Sequence, residues 1–437
     1  MDKKTFKIIT LGCKVNQYES VFLEETLLNN GWHQVDNQKK ADLIIVNTCI
    51  VTQKAGHQSR QEIRKVIREN NNGLVAAIGC YAQVYPDELL RIEGVSVIAG
   101  NIAKGRLADI LCKTDEIQDK RALSDNFEPN MPFEFLPIKG FSKRSRPFLK
   151  IQDGCQNYCT YCIVPFARGP YRSLPPDKVL IMIEALAKKG YKEITLTGIH
   201  LGKYGIDLPG NLSLNKLIRI IIREKIPVRI RLSSLDPHEI DSDLIEMVAT
   251  EKYLCRYFHI SLQSGDDKIL KRMNRKYTLS HFEKLVNNIY SLIPHAAIGV
   301  DIMAGFPGED HLSHKNASSF IQELPISYLH VFPFSARPGT PAASFKQQVE
   351  HSLIKKRAFE LRELGKRKKI CFYNACLNNI FEVIPEGWHQ KKKKIMKGLT
   401  DNYLPVLFTT DHKLENCLLP VKIEKIEKDM VIGSTAI

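Results

Sequence analysis

The chain of 437 residues is too long for one ordinary hydrophobic core, so two or three domains are expected. With 43% hydrophobic and 25% charged residues, no signal-peptide pattern and no apolar run of membrane-spanning length, it reads as a cytoplasmic globular protein without a membrane partner. The net charge of +15 implies a polyanion, nucleic acid ahead of a membrane surface, although on charge alone a solvated helix face is as good a reading.

Residues 1–125 alternate strand and helix. Strands are expected at Phe6–Leu11, Leu43–Val46, Leu74–Ile78 and Val95–Ala99, with a helix from about Val15 to Asn29 that stops at Gly31. Such alternation predicts a parallel sheet with helices on its faces, and ligands bind off the carboxyl ends of such strands. Cys13, Cys49 and Cys80 each follow one of these strands, so three residues far apart in sequence are expected to converge on one site. Three buried packing cysteines are the alternative, but packing does not explain their common position relative to the strands. Asn16 and Asn47, close to two of them, are expected to bond loop backbone.

Residues 126–146, with Pro129, Pro132, Pro137 and the basic run Lys143–Arg146, read as a linker. A second alternating series starts at Pro147. Its strands are expected at Phe148–Gln152, Glu193–Thr197, Val228–Ser233, Tyr257–Leu262, Ile298–Met303 and Tyr328–Pro333, which fits an incomplete β/α barrel with active residues in the loops after the strands. Cys155, Cys159 and Cys162 lie in the first such loop. Their tight spacing can hold one iron–sulfur cube with one iron left free of protein, whereas zinc would call for a fourth nearby Cys or His and an electron-carrier ferredoxin for a fourth cysteine. In a reducing compartment such clusters point to metal or catalysis before disulfides.

After a basic helical stretch, Leu353–Lys369, come short β-like runs at Asn379–Ile384, Tyr403–Thr409, Leu418–Ile423 and Met430–Ile437, with the cationic run Lys391–Lys394 and a turn at Gly398–Tyr403. They predict a small antiparallel barrel of the kind used to bind nucleic acid. Cys112, Cys255, Cys371, Cys376 and Cys417 show no ligand spacing and read as packing residues. Trp32 and Trp388 are read as packing or base-stacking residues, and Arg337 in the Ser335–Pro341 segment as a weak substrate-contact candidate.

The stretch Asp153–Pro165 resembles the radical S-adenosylmethionine superfamily. That resemblance implies a [4Fe-4S] cluster whose open iron chelates S-adenosylmethionine and whose electron cleaves it to a 5′-deoxyadenosyl radical. It further implies cofactor contacts at Thr197 and Gly198 (methionine amine), Ser233 and Gln263 (ribose and carboxylate), Gly305 within Ile302–Gly308 (adenine) and Tyr161 (adenine packing). Taken alone, Ser233 and His200 are better read as satisfied polar residues. The whole chain resembles the methylthiotransferases, which implies an α/β architecture of four parts: an amino-terminal auxiliary-cluster domain over 1–125, the linker at 126–146, a (β/α)6 radical barrel over 147–370 and an RNA-binding TRAM domain over 371–437.

Thr10–Ser20, Lys150–Cys155 and Arg168–Ser173 are most similar to the branch that methylthiolates carbon 2 of N6-threonylcarbamoyladenosine beside the tRNA anticodon, and Gly398–Tyr403 resembles the TRAM pattern; Gln156 departs from the asparagine that commonly follows the first cysteine. The family also implies two [4Fe-4S] clusters, S-adenosylmethionine as methyl donor and radical source, the tRNA anticodon loop as partner, an electron donor of flavodoxin or ferredoxin type, an unidentified sulfur donor and a monomer. The other readings are isopentenyladenosine in tRNA, an aspartate of a ribosomal protein and, more distantly, a non-catalytic iron–sulfur RNA-binding protein. Carbon 2 carries a C–H bond that no side-chain base deprotonates at neutral pH, so no acid–base residue is expected and the chemistry falls to the clusters.

Overall fold

A computed structural model describes residues 4–36, 38–70, 73–112, 121–123, 126–142, 144–389, 394–412 and 414–435. Lys143, Lys391–Lys393 and the side chain of Cys112 lie outside the described residues.

The amino-terminal domain is a six-stranded parallel sheet in the order His33–Gln34, Thr5–Thr10, Leu43–Thr48, Leu74–Gly79, Val97–Ala99 and Arg121–Leu123. Leu43–Thr48 is buried throughout, as a central parallel strand covered on both faces should be. Strand periodicity sends Ile44 and Val46 into the core on one face, and Leu43 and Ile45 into the core on the other. Trp32 joins the second of these cores and so packs, whereas Trp388 is exposed. The four expected strands are present. The edge strands at His33–Gln34 and Arg121–Leu123 are too short to carry a sequence pattern.

The second domain has six parallel strands at Phe148–Lys150, Glu193–Thr197, Arg229–Leu232, Tyr257–Gln263, Ala297–Ala304 and Tyr328–Pro333, each overlapping its expected position. They form two three-stranded sheets, which approach at the Leu235–Ile260 bridge. The first and last strands are not paired with each other, so this barrel is open on one side. Ile194, Leu196, Ile230, Leu232, Phe258 and Ile260 pack into the shared apolar core. The alternate positions Glu193, Thr195, Thr197, Arg229, Arg231, Ser233 and His259 are polar yet buried. The two-residue alternation therefore gives the barrel a polar interior.

The helix His351–Ala375 runs without a break through position 370 into a closed five-stranded barrel. Its strands are Ile380–Trp388, Ile395–Thr400, Pro405–Thr409, Leu419–Glu427 and Met430–Thr435. Two expectations are corrected here. Gly398–Thr400 belongs to a strand, the turn being confined to Asp401 and Asn402, and Pro405–Thr409 pairs with Met430–Thr435 in parallel within an otherwise antiparallel barrel. Among the other cysteines, Cys255 and Cys376 are buried as expected; Cys371 is exposed and Cys417 only half-buried, so packing does not describe those two. Among the described residues no helix is long and apolar enough to cross a membrane.

Candidate active site

The dispersed cysteines do converge. Cys13 caps the helix Lys14–Asn29 and is exposed, Cys49 follows Leu43–Thr48, and Cys80 opens the helix Cys80–Val84. Gly12 has φ of +100°, and a Cβ there would stand 2.9 Å from the Cys49 sulfur, so glycine is required for the loops to close. Asn16 donates to the carbonyls of Leu11 (2.8 Å) and Thr48 (2.9 Å), and Asn47 to that of Asn16 (3.0 Å), tying the Cys13 and Cys49 loops together. Ser59 fixes Cys49 through both its N–H (3.1 Å) and its carbonyl (2.9 Å).

The local triad sits on the loop after Phe148–Lys150 and Gln152–Asp153, at the carboxyl end of the barrel. The Cys155 N–H donates to Gly169 (3.0 Å) and the Cys162 N–H to Cys159 (2.9 Å). Arg275 donates to the Cys159 sulfur at 3.3 Å, and His200 Nδ1 lies 3.4 Å from the Cys155 sulfur. His200 Nε2 is 2.6 Å from Glu239. Burial pulls this imidazole down, but Cys155 and Glu239 outweigh burial and raise it to about 10.

Both triads suit an iron–sulfur cube. Burial pushes the Cys49 and Cys162 thiols up to about 12 and raises Cys159, so these sulfurs stay protonated until a metal displaces the proton. Among the described residues the three-ligand groups that close within 4.8 Å are His259–Asp301–His330 and His200–Asp236–Glu239. Neither cysteine triad is among these tightly closed groups, as suits sulfurs set for a cube rather than for one tetrahedral zinc ion.

A buried charge network beside Cys80 was not foreseen. Arg168 donates to the Cys80 sulfur at 3.3 Å and to Glu19 at 2.6 Å; Lys150 donates to Glu19 and to Asp153, both at 2.9 Å; Lys104 also pairs with Glu19. Burial alone would raise the Glu19 carboxyl, but Arg168, Lys104 and Lys150 hold it well below the usual carboxylate range. Counting Arg172, which reaches Asp153 at 3.5 Å, four cations face two carboxylates. That surplus fits an anionic thiolate-bound cluster.

A cavity of about 230 Å³ lies between the domains, lined by Val51 and Thr52 just beyond Cys49 and by Tyr161, Cys162, Gln263 and Asp301 of the barrel. Both cysteine loops therefore border one gap. Tyr161 also meets Phe306 edge-on, at 6.4 Å between ring centres. Thr197, Gly198, Ser233 and Gly305 do not line this cavity. Gly198 presses on Gln152, where a Cβ would stand 2.8 Å from the side-chain oxygen. The Thr197 carbonyl accepts from Ile151 (2.9 Å), Ser233 N–H donates to Leu196 (3.0 Å), and Gly305 N–H is held by Glu309 (3.1 Å). Arg337 is buried near Cys49, Tyr81 and Tyr85, with Nε and Nη2 unpaired.

An open six-stranded parallel barrel with a three-cysteine loop after its first strand defines a radical S-adenosylmethionine fold, here joined to a second cysteine-bearing domain. Residues 149–316 match the radical SAM superfamily, and residues 5–100 match an uncharacterized protein family, UPF0004. The chain is 36% identical over 418 residues to the threonylcarbamoyladenosine tRNA methylthiotransferase MtaB of Bacillus subtilis (strain 168), covering 95% of this chain and 93% of that one. It is 34% identical over 425 residues to the tRNA-2-methylthio-N(6)-dimethylallyladenosine synthase of Dictyoglomus thermophilum, covering 96% and 95%. Among solved structures, the radical S-adenosylmethionine methyltransferase TsrM from Kitasatospora setae shares the fold, with a TM-score of 0.58 and 16% identity over 78% of this chain and 75% of that one. The chain belongs to the methylthiotransferase family of radical S-adenosylmethionine enzymes.

Proposed function

We propose that the protein transfers a methylthio group to carbon 2 of N6-threonylcarbamoyladenosine beside the anticodon of tRNA. The observation that supports this is a gap between the domains bordered by Cys162 of one three-cysteine set and by Val51 and Thr52, just beyond Cys49 of the other. Cys13, Cys49 and Cys80 would hold an auxiliary [4Fe-4S] cluster, and Cys155, Cys159 and Cys162 the radical one. When bound, the clusters and S-adenosylmethionine would supply the electron, the radical and the methyl group, with the sulfur presented at the auxiliary cluster.

The protein's own residues hold and shield these groups. Arg168 and Arg275 each donate to one sulfur of a triad and set a positive charge against it. Tyr161 and Gln263 face the cavity as cofactor contacts, while Thr197, Gly198, Ser233 and Gly305 shape the strand ends around it. The carboxy-terminal barrel would act as a TRAM domain, with exposed Trp388, Lys394 and Lys397 available to the anticodon arm. A cytoplasmic monomer reduced by a flavodoxin or ferredoxin, with a sulfur donor yet to be identified, completes the reading.

The test uses reconstituted protein, S-adenosylmethionine and an anticodon stem-loop bearing N6-threonylcarbamoyladenosine, with nucleoside mass spectrometry. Cys159→Ala should abolish 5′-deoxyadenosine formation, whereas Cys49→Ala should keep it and yield no methylthio product. Equal loss of both activities in both variants would refute the division of labour. Turnover of a dimethylallyl stem-loop alone would move the substrate to that of the Dictyoglomus relative.

A further inference from the structure

The barrel is open between Phe148–Lys150 and Tyr328–Pro333, and the helix Lys14–Asn29 packs beside the first of these strands. There a second cavity of about 380 Å³ is bordered by Lys14, Arg144, Arg146 and Arg231, with Glu386 as its one acidic wall residue. Arg146 is committed to Glu193 and Glu386, and Arg231 to Glu193 and the carbonyls of Thr400 and Asp401. Neither Lys14 nor Arg144 forms an ion pair among the described residues, although Glu386 acts on Arg144 across the recess. The Lys14 amine lies 5.7 Å and the Arg144 guanidinium 4.8 Å from the centre of the Phe148 ring, and Arg144 also donates to the Gln17 amide oxygen. Two cations without a carboxylate in salt-bridge distance among the described residues therefore share one recess between aromatic walls, Phe148 and Tyr403.

We propose that this recess binds the carboxylate at the end of the substrate's N6 arm, with Lys14 and Arg144 as its ligands. The proposal rests on the substrate reading above. Carbon 2, N1 and N6 of adenine lie along one edge of the base. A base that turns carbon 2 toward the Cys13–Cys49–Cys80 centre can lay its N6 arm along the helix Lys14–Asn29, down the open side of the barrel toward the Glu193 end. That path begins at Lys14, the residue after Cys13, and continues at Gln17 one helical turn on. A threonylcarbamoyl arm brings a planar urea to the aromatic walls and a carboxylate to the two cations, a charge-assisted pairing in a partly enclosed site. A dimethylallyl arm would cover the same cations without pairing them, which penalises it. The recess thus acts as a selector among modified adenosines, and a tRNA backbone phosphate is the one competing anion.

Binding of labelled anticodon stem-loops carrying N6-threonylcarbamoyladenosine, dimethylallyladenosine or unmodified adenosine separates these sources. The wild type should favour the threonylcarbamoyl loop over the unmodified one by about tenfold or more, the scale of a hydrogen-bonded charge pair. Lys14→Met and Arg144→Met should bring that ratio toward one with little change for the unmodified loop, and Lys14→Arg should restore it. Iron per chain, unchanged across the set, reports an intact fold. Equal weakening toward both loops would mean that the cations hold backbone phosphate, and the proposal falls while the substrate reading stands. Failure of wild-type protein to methylthiolate the threonylcarbamoyl loop at all would instead remove the substrate reading, and this proposal with it.

Discussion

At the cysteine-bearing end of the barrel Glu19 gathers Arg168, Lys150 and Lys104, whereas at the opposite end Glu193 gathers Arg231, Arg229 and Arg146. Both carboxylates are fully buried, and in both the surrounding cations overcome the upward push of burial and hold the carboxyl far below its usual range. Each network also crosses a domain boundary. Glu19 belongs to the amino-terminal domain and its partners Arg168 and Lys150 to the barrel; Arg229 and Arg231 donate to the carbonyls of Glu382, Thr400 and Asp401 in the carboxy-terminal barrel, at 2.9–3.0 Å. The difference lies in what the cations do with their remaining donors. Below, they end on peptide carbonyls, whose partial charge is fixed. Above, Arg168 ends on the sulfur of Cys80, a side chain placed to take a metal. The lower network joins two domains through fixed groups, and the upper one joins two domains and also reaches a candidate cluster ligand.

The largest effect should come from Arg168→Met. Removing one member of a buried, hydrogen-bonded network costs about 3–5 kcal/mol because the partners left behind are uncompensated. The loss should be greater in reconstituted than in metal-free protein, and iron should fall at the Cys13–Cys49–Cys80 site while the Cys155 triad keeps its own. Denaturant unfolding of both forms, with iron counted per chain, checks this; equal destabilisation of the two forms would mean that Arg168 only docks domains.

Glu193→Gln should cost somewhat less, about 3 kcal/mol, since the amide still accepts hydrogen bonds while the arginines lose their countercharge. Iron content should not change. This carboxyl is depressed in the folded state, so its contribution is present above its ordinary value near about pH 4.3 and is lost as pH falls toward the folded value. Wild-type melting temperature should therefore drop below about pH 4.3, and the glutamine variant should show a shallower acid limb over that range. An unchanged limb would show that other carboxylates, such as Asp301, lowered to about 2 beside His259 and His330, govern acid unfolding.

How much of this was legible in the sequence follows from the range of each interaction. The six barrel strands and the converging cysteines could be read because strand periodicity and strand-end position are local signals. Ile395–Thr400 was missed because Gly398 and the Asp401–Asn402 turn dominate the local pattern. The charge networks were illegible for a different reason. Glu19, Lys150 and Arg168 all lie in the stretches that carry the family resemblance, yet Arg168 and Glu19 are 149 residues apart. In a sequence, a lysine or glutamate bound for the interior looks like one bound for solvent. Alternating polar residues on barrel strands (Glu193 and Thr195, Arg229 and Arg231, His259 and Ser261) were the available sign of a polar interior, and they were read only as strand.

Arg146 provides the finest comparison, because one guanidinium meets both kinds of partner. It reaches Glu193, fully buried, at 3.4 Å, and Glu386, 37% exposed, at 2.5 Å. On distance alone the Glu386 pair is the stronger. Solvent reverses that order: an exposed pair gains little over its hydrated ions and is screened by salt, so Glu386→Gln should cost less than about 1 kcal/mol, and less still in high salt. The same substitution at Glu193 should be several times more costly and insensitive to salt, since water and counterions cannot enter to replace what is lost. Stability measured for the two variants at low and high ionic strength decides the matter. Should Glu386→Gln match Glu193→Gln in cost, the carboxy-terminal barrel would be docked by the number of its ion pairs; a wide gap would assign that docking to the one carboxylate that water cannot reach.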